Sequence, residues 1–376
     1  MLVHKLLVDL APPFVTAKSW SISDGRTGEI LFGKCENDRR EIASLTKIMT
    51  CFVVIQIVRK IRLNAQRTFL QVSKNAATVG GTSAKLRTGD VLSVWDLLHG
   101  LMLPSGNDAA ITLAEHFGQY LFEVATRYKN SKAGGQGQPQ NASTLNGSSA
   151  ATGATGANTA AAGGAGLGQG GGADAENQRR MQSDQPMKYF LQEMNRYARA
   201  LGLESTNYAN PHGLSHKNNK STAADIGKLA CIVMQDPLVR EIVIQKHYTC
   251  TGKDLQDEPR EFSWTNTNKL LGKGFNGVKT GVTPAAGPCL AASFEKDSLH
   301  LVVVVMNTKT MDNRWVEVPK LTLWAINRLN KMCEYFAENQ LPNGALRAPP
   351  QQAPTNANGN NNNNQAANGN NNSNNA

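Results

Sequence analysis

Residues Ser44 to Lys60 read SLTKIMTCFVVIQIVRK, and their spacing most narrows what this chain can become. Leu45, Ile48, Met49, Phe52, Ile55 and the intervening valines wrap almost the whole circumference of a helix. Such a helix has to be enclosed on most sides by other elements. Yet the same stretch opens with Ser44 and Lys47, one turn apart. A lysine is expensive to bury, so something must compensate for it.

The elements that could enclose it are legible on both sides. Ala17–Lys34, AKSWSISDGRTGEILFGK, alternates about a DGRTG turn and predicts a hairpin. Val91–Leu103 and Asp108–Phe117 predict two helices broken by LPSGN. Pro186–Leu203 is amphipathic and stops at a glycine. Gly277–Phe294 and Ser298–Asn307 predict a strand pair across EKD, and Arg314–Glu338 a closing helix. The order of strands, a long helical middle, strands and a helix predicts a mixed α/β fold. An antiparallel sheet of the N-terminal hairpin plus the C-terminal strands is flanked by helices, with a helical subdomain beside it.

Two segments lack the apolar residues needed to offset the entropy of ordering. One is the Gly/Ala/Asn-rich stretch 131–184, an insertion whose length costs little in loop closure. The other is the Asn-rich tail 348–376. The domain they interrupt and follow is expected to span 12–345.

The formal net charge of +10 admits anionic partners, but the Lys and Arg residues are dispersed, with no aromatic-interleaved stripe. A nucleic-acid partner is not expected. Cys35, Cys51, Cys231, Cys250, Cys289 and Cys333 form no metal-binding spacing and no disulfide framework. No apolar run is long enough for a membrane span, and MLVHKLLVDLAP makes a poor signal peptide. The sequons at Asn141, Asn146 and Asn371 fall in the two low-complexity segments.

Ser44 and Lys47 at i and i+3 share one helix face. There the helix N-terminus favours negative charge on oxygen, and burial lowers the lysine pKa, which makes a nucleophile–base pair. The plainer reading is an N-cap and a snorkelling lysine. Ser-x-x-Lys is not specific, since Ser293 and Lys296 repeat it. Ser105-Gly106-Asn107 lies at the helix break, although Ser205-Thr206-Asn207 repeats that pattern too. Lys279-Thr280-Gly281, on an expected strand, occurs once, and its glycine would let a substrate approach the backbone. His212 reads as a turn residue at a cleft edge and Asp225 as a helix cap. The three triplets, in this order and each in the right kind of element, point together to a serine acyl-transfer site.

The similarity extends beyond the triplets. IASLTKIMT, LLHGLMLPSGNDAAITLAEHFG, YANPHGL followed by STAADIGKLA, and GVKTGVTPAAGPCLAASF resemble the D-alanyl-D-alanine carboxypeptidases, the low-molecular-weight penicillin-binding serine peptidases. The resemblance implies the penicillin-binding/β-lactamase-like transpeptidase fold and a substrate peptide ending in D-Ala-D-Ala, with β-lactams as acylating inhibitors. It implies Ser44 as nucleophile and Lys47 as base. Ser105 would relay a proton, and Asn107 would hold Lys47 and the substrate amide. Lys279 and Thr280 would bind the terminal carboxylate with Arg314, beside Gly281. The N–H groups of Ser44 and Val282 would form the oxyanion hole. No metal or cofactor is implied. The family is usually exported, and its β-domain and anchoring helix have no counterpart in the Asn-rich tail, so localisation stays open. Gly106 stands where class A β-lactamases carry Asp, and no Glu-x-x-Leu-Asn supplies their deacylation base. A β-lactamase and a non-catalytic wall-peptide binder are the alternatives.

Overall fold

The computed structural model describes residues 11–133 and 185–338. In chain order it begins with the hairpin β1 (Ser19–Asp24) and β2 (Ile30–Lys34), then a short β3 (Arg40–Glu41) and a 3-10 turn, Ala43–Leu45. Helix α1 (Thr46–Lys60) follows, then β4 (Phe69–Gln71), α2 (Lys74–Ala77), β5 (Val91–Ser93), α3 (Val94–Met102) and α4 (Asn107–Ala133). After the gap come α5 (Gln185–Ala200), β6 (Lys220–Ser221), α6 (Ala223–Met234), α7 (Pro237–Val243), β7 (His247–Lys253) and β8 (Pro259–Thr265). Three long strands, β9 (Phe275–Thr283), β10 (Gly287–Lys296) and β11 (Leu299–Met306), lead into α8 (Asn313–Glu338). Pro13–Ile326 forms one compact unit; the remaining described residues are Ala11, Pro12 and Asn327–Glu338.

The main sheet has the order β2-β1-β11-β10-β9, antiparallel throughout, so hairpin and C-terminal strands join as expected. The Asp24 carboxylate sets the hairpin turn by accepting from the N–H groups of Arg26 (2.8 Å) and Thr27 (3.0 Å). The unbroken Leu301–Val305 run reflects burial of both faces of β11. Helix α6 packs on one face against β1, β10 and β11. Trp324 of α8 meets Trp20 and Phe32 edge-on at 6.0 and 4.9 Å. Helix α1 is buried from Thr46 through Ile55, and it contacts α3, α4, α5, α6 and β9, which accounts for its all-round apolar pattern.

Four expectations need correction. The middle of the chain is not purely helical, because β4, β5, β7 and β8 form a second, four-stranded sheet. Strands of three residues are too short to display a period, and β7 and β8 bury only part of one face. Val91–Leu103 divides into a strand and a helix, with Ser93 Oγ capping the helix at the Asp96 N–H (3.0 Å). Gly277–Phe294 is two strands, β9 and β10, turning at Pro284–Ala286. Helix α4 runs past Phe117 to Ala133 and takes in the first residues of the expected insertion. The rest of that insertion and the Asn-rich tail lie outside the described residues.

Candidate active site

Ser44 sits in the 3-10 turn just ahead of α1, so it is not the helix cap; Leu45 occupies that position without a side-chain bond. The turn is set by the left-handed Ala43 (φ 48°). It is held by Thr46 Oγ1 donating to the Ala43 carbonyl (2.9 Å), and Asn219 in turn donates to Thr46 (2.9 Å). Two glycines press on it. A Cβ on Gly213 (φ +90°) would lie 2.0 Å from the Ala43 carbonyl oxygen, and one on Gly281 would lie 3.1 Å from both Ile42 O and Ser44 N. The glycine of Lys-Thr-Gly thus packs closely against the nucleophile turn, where an added side chain would force a small shift.

Lys47, one turn along α1, has no exposed surface. Its Nζ lies 3.1 Å from Ser44 Oγ, 2.6 Å from Asn107 Oδ1 and 2.6 Å from the His212 carbonyl oxygen. These three groups come from the 3-10 turn ahead of α1, the start of α4 and the Asn210–Leu214 turn. Burial, helped by the charge of Lys279, holds the amine well below the ordinary lysine range, while the Asp108 carboxylate pushes the other way. The plain reading of a snorkelling lysine is thereby excluded. Asp108 escapes notice in the sequence because it lies on α4, not α1. It accepts from Ala84 N, Ala109 N, Ser83 Oγ and Leu86 N, which anchors the loop beside the site.

Asn107 holds Lys47. Its Oδ1 accepts from Lys47 Nζ, and its Nδ2 donates one of its two hydrogens to the Gly80 carbonyl (2.7 Å). The amide is fixed in one orientation by these partners. Ser105, at φ 67° in the break between α3 and α4, is buried, and its hydroxyl has no hydrogen-bond partner among the described residues. Gly106 admits no side chain, because a Cβ there would meet Asp108 Oδ1 at 2.5 Å and Gly100 O at 2.8 Å. The aspartate of class A β-lactamases could not be accommodated.

Across the cleft, β9 is the outer strand of the main sheet. Lys279 is buried on it, and burial followed by the Arg314 charge pushes its pKa down to about 7. Its Nζ donates to the Thr280 carbonyl (3.1 Å). Thr280 Oγ1 pairs with Thr267 Oγ1 at 2.8 Å. Val282 is 44% exposed and lies opposite Pro288 of β10. Arg314 is only 3% exposed. Its Nη1 donates to the carbonyls of Gly281 (3.2 Å) and Cys289 (3.1 Å), and Nε to Met311 O (3.1 Å). The guanidinium thus braces β9 against β10 from behind.

The repeated patterns have other uses. Ser293 Oγ pairs with His300 Nε2 (3.0 Å) inside the sheet, and the Ser205–Thr206 turn is tied to Asp225, whose carboxylate accepts from Ser205 N and Thr206 Oγ1. Asp225 is therefore not the cap of α6; Thr222 is. His212 contributes its carbonyl, not its imidazole, which burial and then Lys47 hold at about 4. Sequence reading finds the Asn-Pro-His-Gly turn but not this carbonyl, since main-chain acceptors leave no residue signature.

A five-stranded antiparallel sheet with helices on its faces, and a Ser–Lys pair facing an edge-strand Lys-Thr-Gly, defines the penicillin-binding fold. The chain belongs to the D-alanyl-D-alanine carboxypeptidase family, whose sequence pattern matches residues 8–120 and 186–310. It is 26% identical over 316 residues to D-alanyl-D-alanine carboxypeptidase DacF of Bacillus subtilis, covering 83% of this chain and 62% of that one. DacD of Escherichia coli is 28% identical over 320 residues, covering 83% and 64%. The chain thus spans a little over six-tenths of the length of these curated relatives. The crystal structure of a Streptomyces DD-transpeptidase superposes with a TM-score of 0.64 at 25% identity, over 84% of this chain and 99% of the other.

Proposed function

We propose that this protein is a serine-type carboxypeptidase that removes the terminal D-alanine from peptides ending in D-Ala-D-Ala and is acylated by β-lactams at the same serine. The observation that carries the reading is the environment of Lys47 Nζ. Two of its three neighbours are carbonyl oxygens, at 2.6 Å each, and these can only accept. A neutral amine has two hydrogens, and both are committed there. In that neutral state the lone pair is left for Ser44 Oγ, 3.1 Å away, and the hydroxyl can donate to it.

In the reaction, Ser44 Oγ bonds to the carbonyl carbon of the penultimate residue as its proton passes to Lys47. The N–H groups of Ser44 and Val282 receive the oxyanion, each such donor contributing about 3 kcal/mol. The C–N bond then breaks, and the leaving amine takes a proton through Ser105 Oγ, which Lys47 replenishes. Water attacks the acyl-enzyme with Lys47 as base, giving the shortened acid and free Ser44. Lys279 and Thr280 face the terminal carboxylate. Arg314 supports this by bracing Gly281 and adding positive charge. No recognisable deacylation glutamate is present, so a penicillin adduct should persist.

The test is intact-mass analysis after benzylpenicillin, alongside D-alanine release from an N-acylated L-Lys-D-Ala-D-Ala peptide. A stable adduct absent from Ser44→Ala, with D-alanine release by the wild type, supports the reading. An adduct on another residue, turnover of penicillin within seconds, or no D-alanine release would refute it.

A further inference from the structure

Thr267 belongs to none of the three triplets, yet it touches Thr280 of one and Leu103, just ahead of another. It follows β8, and both of its neighbours are pinned. Asn266 Nδ2 donates to the carbonyls of Val243 (3.1 Å) and Gln245 (3.0 Å), and Asn268 Nδ2 to that of Gly277 (3.0 Å). Between them, the Thr267 N–H (3.1 Å) and hydroxyl (3.2 Å) both reach the Leu103 carbonyl, two residues before Ser105. On its other side the hydroxyl meets Thr280 Oγ1 at 2.8 Å.

Two hydroxyls in contact place only one proton on the line between them. In one arrangement Thr280 donates to Thr267, and Thr267 donates to Leu103. In the other, Thr267 donates to Thr280, whose own proton is released to a third group. The Leu103 carbonyl keeps the Thr267 N–H in both, so the reversal strands no buried acceptor. The bond surrendered is the longer of the two.

We propose that Thr267 is a positioning residue for carboxylate recognition. Its hydroxyl turns towards Thr280 when an anionic group arrives beside Lys279, and Thr280 then presents its proton to that anion. The donor to the anion gains strength because its oxygen is already accepting, and a bond to a charged acceptor is the stronger kind. This inference rests on the assignment of Lys279 and Thr280 to the terminal carboxylate.

The experiment measures second-order acylation of the full chain by benzylpenicillin and by its methyl ester, which lacks the anion. The proteins are wild type, Thr267→Val, Thr267→Ser, Thr280→Val and the double valine variant. Thr267→Val should slow acylation by the acid about tenfold and leave the ester rate unchanged. Thr267→Ser should restore the acid rate, and the double variant should be no slower than Thr280→Val. A wild-type rate in Thr267→Val, an equal loss with acid and ester, or additive losses in the double variant would overturn the inference alone. Failure of the wild type to be acylated would overturn the functional reading, and the inference with it.

Discussion

Asn107→Asp is nearly isosteric and changes the electrostatics of the base directly. Asn107 Oδ1 lies 2.6 Å from Lys47 Nζ. At an effective dielectric of about 20, unit charges at the 2.6 Å separation attract by about 6 kcal/mol. The carboxylate spreads its charge over two oxygens and pays to be buried, so about half survives, or about 2 pKa units on Lys47. The sign is upward, because the added anion favours the ammonium form. Below the raised pKa the neutral amine falls tenfold per unit, so acylation should drop about a hundredfold at pH values below both pKa values, and by less where wild-type Lys47 is already neutral. The loss should be recovered as pH rises, with the acid limb of the profile displaced by about 2 units. Loss of the Nδ2 bond to Gly80 is a separate cost, and Asn107→Leu controls for it by lowering the rate without moving the limb upward. The assay is the pH dependence of second-order acylation followed by intact mass. A limb that stays in place in Asn107→Asp would refute the assignment of Lys47 as a neutral base held by Asn107.

Lys47→Arg keeps a cation that cannot release its proton, so acylation should fall at least a hundredfold at every accessible pH; a rate near wild type would remove Lys47 as the base. Gly213→Ala places a Cβ 2.0 Å from the Ala43 carbonyl at φ +90°, so melting should drop by several degrees and acylation by about two orders of magnitude, both read on one preparation. Lys279 is charged below about 7 and neutral above it, so carboxylate-dependent acylation should decline as pH rises through that value. Arg314→Met removes one of the two causes of that depression, so the declining limb should move to higher pH even as the overall rate falls, as a pH series with benzylpenicillin would measure.

The residues that carry the chemistry announced themselves because their types are costly outside a site. Lysine in an otherwise apolar α1 and a unique Lys-Thr-Gly have few structural uses, and their order along the chain could be read without coordinates. The all-round apolar period of α1 and the unbroken Leu301–Val305 run likewise report burial locally, since each residue's own side chain records it. The second sheet left no such trace, because its shortest strands span three residues and pair with segments far along the chain. What only the tertiary structure decided is how Lys47 is held. Its acceptors lie 60 and 165 residues away, and one is a backbone carbonyl indistinguishable in sequence from any other. The same holds for Arg314, where a charged side chain at a helix start turns inward onto Gly281 and Cys289. Side-chain chemistry and periodicity are local properties written in the sequence, whereas the partners that tune a buried charge are fixed only when distant segments pack together.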